Sequence, residues 1–144
     1  MAKAYVATLE GDYSDIVLGR VVAFGDTGWN FKEVTMTFAK TLKAGLLVKA
    51  DGTPVASAAE AADIYGVLVD RKVLPGVTDW NGMTPNEGED LPMVLAVRGL
   101  TLNALKLVYA DDAVIDEAGI KVLEAQGNQV TDKIVGTEFI GSVL

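Results

Sequence analysis

Residues 42–70 constrain the fold most: two short apolar runs, Leu46-Leu47-Val48 and Ile64-Tyr-Gly-Val-Leu-Val69, flank an Asp51-Gly52 dipeptide and an alanine-rich interval. Runs of this length suit strands, and Asp-Gly favours a tight turn because glycine accepts positive φ without steric cost. The segment is therefore predicted to run strand, turn, small excursion, strand. Ser57 and Glu60 have the spacing of a capping box, which predicts a turn or two of helix over 58–62, too short to stand alone. Gly66 inside the second run predicts a bulge or a close backbone approach. A chain organised around such a unit is mainly β.

The flanking sequence follows the same pattern. Residues 16–24, IVLGRVVAF, are apolar on both alternating faces and predict a largely covered strand. Residues 25–28 read as a turn or loop, and Trp29 and Phe31 follow it. Trp29 has two readings, a local cap on the core or a contact with a partner, since aromatics are enriched at interfaces. Residues 34–38 alternate cleanly, with Val34, Met36 and Phe38 inward and Thr35 and Thr37 outward. Residues 75–92 are rich in Gly, Pro, Asn, Asp and Glu and predict a long loop, of a kind often ordered by a partner, which makes Trp80 a second candidate contact.

Residues 93–98 predict a further strand, and the leucines at 100, 102, 105 and 107 a helical turn. The best helix spans 111–126. It has an Asp cap, early Asp116 and Glu117, a face of Ile115, Ala118 and Val122, and Gly127 as its stop. Gly119 weakens it by about 1 kcal/mol relative to alanine. The last residues, 133–144, are strand-like around Ile134-Val135 and Phe139-Ile140 and are expected to close the sheet. Residues 5–9 alternate weakly and are expected to form an arm that orders only against something else. The chain is thus expected to be one small α+β domain at 16–144 behind an N-terminal arm at 1–15.

Composition narrows the chemistry. Half of the 144 residues are apolar, enough to offset the entropy of ordering a single core. No stretch approaches the ~18 consecutive apolar residues of a membrane helix, and the first residues lack the apolar region of a signal peptide, so a soluble protein made in a cytoplasm is expected. Cysteine and histidine are both absent, which removes disulfides, thiolate nucleophiles, zinc-thiolate sites and the commonest general base. The net charge of −8 carries no dense basic cluster, so a protein partner is expected and nucleic acid is not. No metal or cofactor is expected either.

Carboxylate chemistry has candidates in Glu87, Glu89 and Asp90, and in Asp111 and Asp112, but adjacent carboxylates in polar loops have nothing to drive their pKa values apart. Asp79-Trp-Asn81-Gly82 lacks the regular third ligand and terminal glutamate of a calcium loop and reads as a turn. Phosphate-binding glycine motifs and nucleophile elbows are missing. No enzyme is expected.

The order of pieces is more informative than any one of them. Gly45-Leu-Leu-Val-Lys-Ala-Asp-Gly-Thr, then Tyr65-Gly-Val-Leu-Val, a Pro/Gly loop, and Val94-Leu-Ala-Val-Arg-Gly99 together resemble the lambda-type head decoration proteins of tailed bacteriophages, over roughly residues 41–126. The resemblance implies a small β-barrel-like or β-tulip domain with short helices. It also implies a homotrimer on the exterior of the expanded head, binding the major capsid protein and stabilising the shell against internal DNA pressure. The family's arm corresponds to the region of Tyr5, Val6 and Leu9, which join Trp29 and Trp80 as candidate capsid contacts. The longer N-terminal region and the extension after Gly127 depart from the short members of that family. A tail-tube or fibre component, polymerising through edge strands, is the alternative. A small enzyme or carbohydrate-binding module stacking on Trp29 and Trp80 is a further one.

Overall fold

The computed structural model describes residues 16–20, 27–73 and 85–132. In chain order these form β1 (Val17–Arg20), α1 (Thr27–Asn30), β2 (Phe31–Thr37), β3 (Leu47–Lys49), a 3-10 turn (Ala58–Asp63), β4 (Ile64–Leu68) and a 3-10 turn (Arg71–Val73). There follow β5 (Asp90–Ala96), β6 (Leu100–Asn103), a 3-10 turn (Ala104–Lys106), α2 (Glu117–Ala125) and β7 (Gln129–Thr131). The arm at 5–9, the second half of the first predicted strand, Trp80, the turn at 79–82 and the strand-like segment 133–144 lie outside the described residues.

The strands make two sheets, as the mainly β reading requires. One has four strands in the order β2-β5-β4-β3, all antiparallel, and the other three in the order β1-β6-β7. β1 runs antiparallel to β6, whereas β7 runs parallel to it. A parallel neighbour requires a crossover, and residues 104–128, with α2, supply it. Both sheets and α2 share one apolar core, in which Leu47, Leu68, Met93 and Leu95 meet Leu100, Leu102, Leu107 and Leu123.

The expected barrel is not closed. The larger sheet does curl: a Cβ on Gly52, in the turn after β3, would lie 2.0 Å from the carbonyl oxygen of Thr35 on β2, at the far edge. Gly52 therefore answers to both its positive φ of 88° and this close approach. The turn itself is built as expected, with the Asp51 carboxylate accepting from the amide and hydroxyl of Thr53 at 2.9 and 2.6 Å. Gly66 also meets both expectations. Pairing of β3 with β4 shifts between Val48 and Lys49, and a Cβ on Gly66 would approach the Ala96 carbonyl to 2.9 Å.

Six local expectations are corrected. Residues 27–28 belong to the short helix α1 and not to a loop. The 3-10 turn at 58–63 forms, but Ser57 makes no side-chain cap. Glu60 turns instead to Lys49 Nζ at 2.5 Å, which holds its carboxyl below the usual range and the lysine above its own. The predicted loop at 75–92 ends early, because Asp90 to Pro92 already belong to β5. Proline is tolerated there because β4 pairs only with the far end of β5, at Leu95 and Ala96.

Leu100 and Leu102 sit in β6, the centre of the smaller sheet, and only residues 104–106 make a helical turn. The main helix starts at Glu117, not 111. Residues 107–115 form a narrow ladder instead, with Ile115 N–H donating to Leu107 O at 2.8 Å and Asp112 at a φ of 69°. Its buried face is Gly119 and Leu123, while Ala118 is exposed. Gly127 stops it as expected: its N–H donates to Glu124 O at 3.0 Å and that of Asn128 to Leu123 O at 3.2 Å.

Candidate functional site

Among the described residues, three large apolar side chains are exposed: Trp29 at 37%, Leu105 at 55% and Val114 at 51%. Only Trp29 was singled out by the sequence, and its setting is the most heavily braced. The backbone carbonyl of Asn30 accepts from the amide of Val97 at 2.9 Å, and Asn30 Nδ2 donates to the Arg98 carbonyl at 3.1 Å. These bonds lock α1 onto the turn at 97–99 between β5 and β6.

Gly99 makes the seat. A Cβ there would come within 2.1 Å of Trp29 Cζ3, and the residue's φ of 70° already favours glycine. The same turn is held from behind by the end of α2. Gly99 N–H donates to Gly127 O at 3.1 Å, and Asn128 Nδ2 donates to the carbonyls of Val97 and Leu123 at 2.9 and 3.0 Å. Asn128 Oδ1 accepts from Leu100 N–H at 3.2 Å, so one buried amide side chain ties helix, turn and β6 together. Trp29 thus caps part of the corner, the first of its two readings, while more than a third of it faces out.

The sequence did not reveal Gly99 or Asn128 as the parts that set this side chain. The signal for Gly99 was present, a glycine ending an apolar strand. Nothing marks Asn128 as buried, since asparagine after a helix-stopping glycine reads as a polar turn.

The carboxylates considered for chemistry each have a partner. Glu87 accepts from Lys40 N–H at 2.8 Å, Glu89 from Asn86 N–H at 3.2 Å and Asp90 from the Thr37 hydroxyl at 2.8 Å. Asp112 pairs with Lys43 and Asp111 accepts from Ala113 N–H at 3.0 Å. Glu89 and Asp111 brace local turns, and Glu87, Asp90 and Asp112 tie separate segments of the chain together. Among the described residues no group of three or more acidic side chains could hold a metal ion.

A surface aromatic on a braced corner fits a protein that works by attachment. The family model described as the Bacteriophage PhiTE minor capsid decoration protein matches residues 1–144. The chain belongs to this family of phage capsid decoration proteins. No curated protein and no solved structure matches it. The decoration protein is therefore a structural component of the virion capsid and not an enzyme, and the lambda-type resemblance pointed to the same class.

Proposed function

We propose that the decoration protein binds the exterior of the expanded head as a homotrimer, contacts the major capsid protein, and stabilises the shell against internal DNA pressure. The whole-chain family match supports the decoration role, and the resemblance to lambda-type proteins supports the trimer and the preference for expanded heads. Trp29 is the described residue on which attachment turns. It is a rigid aromatic with little rotamer entropy left to lose, as binding hot spots often are. Tyr5, Val6 and Leu9 of an arm at 1–15 and Trp80 complete the contact set, around a domain at 16–144. Modest affinity per copy adds up because the shell repeats the site. The acidic chain makes no use of nucleic acid, membrane or cofactor, and is made in the host cytoplasm.

Light scattering of the free protein should give the mass of one or three chains, whereas open-ended polymers or hexameric rings would favour the tail-tube reading. Packaged heads stripped of the protein should lose DNA at a lower temperature and regain resistance when it is added back. Equal heat resistance with and without the protein would remove the stabilising role. Deleting residues 1–10 should leave the fold intact and weaken attachment; unchanged attachment would remove the arm from the contact set.

A further inference from the structure

The larger sheet contains a strand that outruns its neighbour. β4 and β5 pair at Val67–Ala96 and Leu68–Leu95, and the Val69 amide still donates to Val94 O at 3.1 Å. A continuing ladder would return the Val94 amide to the carbonyl of Val69. It goes instead to Oδ2 of Asp70 at 3.0 Å.

Asp70 is 5% exposed, and its Oδ1 accepts from the Lys72 amide at 2.8 Å. Lys72 Nζ lies 3.4 and 3.5 Å from the two carboxylate oxygens and donates to the Pro92 carbonyl at 3.0 Å. The 3-10 turn Arg71–Val73, anchored by the buried Val73, holds the carboxylate and the ammonium at this spacing.

Which groups of β5 face this side follows from the β2 ladder. The Phe38 amide donates to Glu89 O at 2.7 Å and the register runs on without a shift, so positions 92 and 94 turn their backbone groups away from β2. The two positions therefore offer three groups there: the Val94 amide, the Val94 carbonyl and the Pro92 carbonyl. Proline has no N–H to offer. All three are taken, by the Asp70 carboxylate, the Val69 amide and the Lys72 ammonium.

We propose that Asp70 and Lys72 substitute for the missing continuation of β4 and close positions 92 and 94 of β5 to strand addition by a second copy of this chain. The carboxylate stands in for a strand carbonyl and the ammonium for a strand amide, while Pro92 leaves nothing to cap. An unpaired edge is a template for further strands, and lysine and proline are effective blocks. Copies crowded on a repeating lattice gain most from such a block. The proposal concerns association between copies and stands independently of how any copy reaches the head.

The test is a double variant, Lys72→Met with Pro92→Ala, which uncovers the Pro92 carbonyl and adds an amide on the same side. Pro92 is exposed and its amide position faces away from β2, so the β2–β5 ladder is left in place. The variant is also more acidic than the parent, so general repulsion opposes any association seen. Light scattering over a wide concentration range should show growth beyond the parent's mass, starting at concentrations roughly tenfold lower than for the parent. Lys72→Met alone should show a weaker form of this, and Lys72→Arg, which keeps a donor, should show none. Equal mass for the double variant and the parent across the range would overturn the proposal.

Discussion

Two aromatic side chains rest on glycines at opposite ends of α2, and they are used differently. At the N-terminal end Tyr109 is fully buried and its hydroxyl donates to Asp116 Oδ1 at 2.5 Å, while a Cβ on Gly119 would come 2.6 Å from that hydroxyl oxygen. Asp116 also accepts from Gly119 N–H at 3.0 Å and caps the helix. At the C-terminal end Trp29 rests on Gly99 with comparable backbone bracing, yet stays more than a third exposed. Burial of the tyrosine, with its polar tip satisfied, serves stability. The tryptophan sits on a braced turn with surface left over, and this is the surface the proposed capsid contact would use.

The contrast is broken most severely by Tyr109→Ala, which should cost about 3–5 kcal/mol in denaturant unfolding. Its remaining folded fraction should attach to heads as well as the parent does. Trp29→Ala should do the reverse, weakening attachment by about 2 kcal/mol or more in a binding isotherm, with a smaller loss of stability than Tyr109→Ala. Gly99→Ala should lower both quantities, stability by at least about 1 kcal/mol, because it strains the turn and displaces the indole together.

The smallest effect expected is that of Tyr109→Phe, about 1 kcal/mol at neutral pH, and it sharpens the contrast through pH. The hydrogen bond from Tyr109, aided by the Gly119 amide, holds the Asp116 carboxyl below the usual carboxylate range. Its stabilisation is therefore present above about pH 4 and lost as pH falls through the lowered value. Burial, then the bond to Asp116, pushes the tyrosine hydroxyl up. That contribution is complete below about pH 10 and lost as pH rises through the higher value. Tyr109→Phe should flatten both limbs of the stability profile, whereas Trp29→Phe should leave them unchanged.

Legibility followed the range of the interactions. The alternation at Val34, Met36 and Phe38, the Asp51-Gly52 turn and the Gly127 stop were readable because each depends on neighbours in sequence, and Gly66 because a glycine inside an apolar strand marks a close approach whatever the partner. The helix start was misread because Asp111 looks as good a cap as Asp116. The choice falls to Tyr109, whose hydroxyl needs Asp116, and to the ladder joining Leu107 with Ile115. Leu100 and Leu102 become strand only through β1 and β7, which flank them from distant parts of the chain. Trp29 could be named as a candidate, but its seat could not. Gly99 and Asn128 lie 70 and more residues away from it, and Asn128 is buried only because three backbone groups converge on it.

The central claim is that the chain attaches to the expanded head through the exposed face of Trp29. The most direct test is a binding isotherm on expanded and unexpanded heads with vacant exterior sites, for the parent and the Trp29→Ala variant at a temperature where both are folded. Saturable binding of the parent to expanded heads alone, with the variant weakened about thirtyfold or more, is the predicted result. Equal binding by parent and variant, or failure of the parent to bind expanded heads, would contradict it.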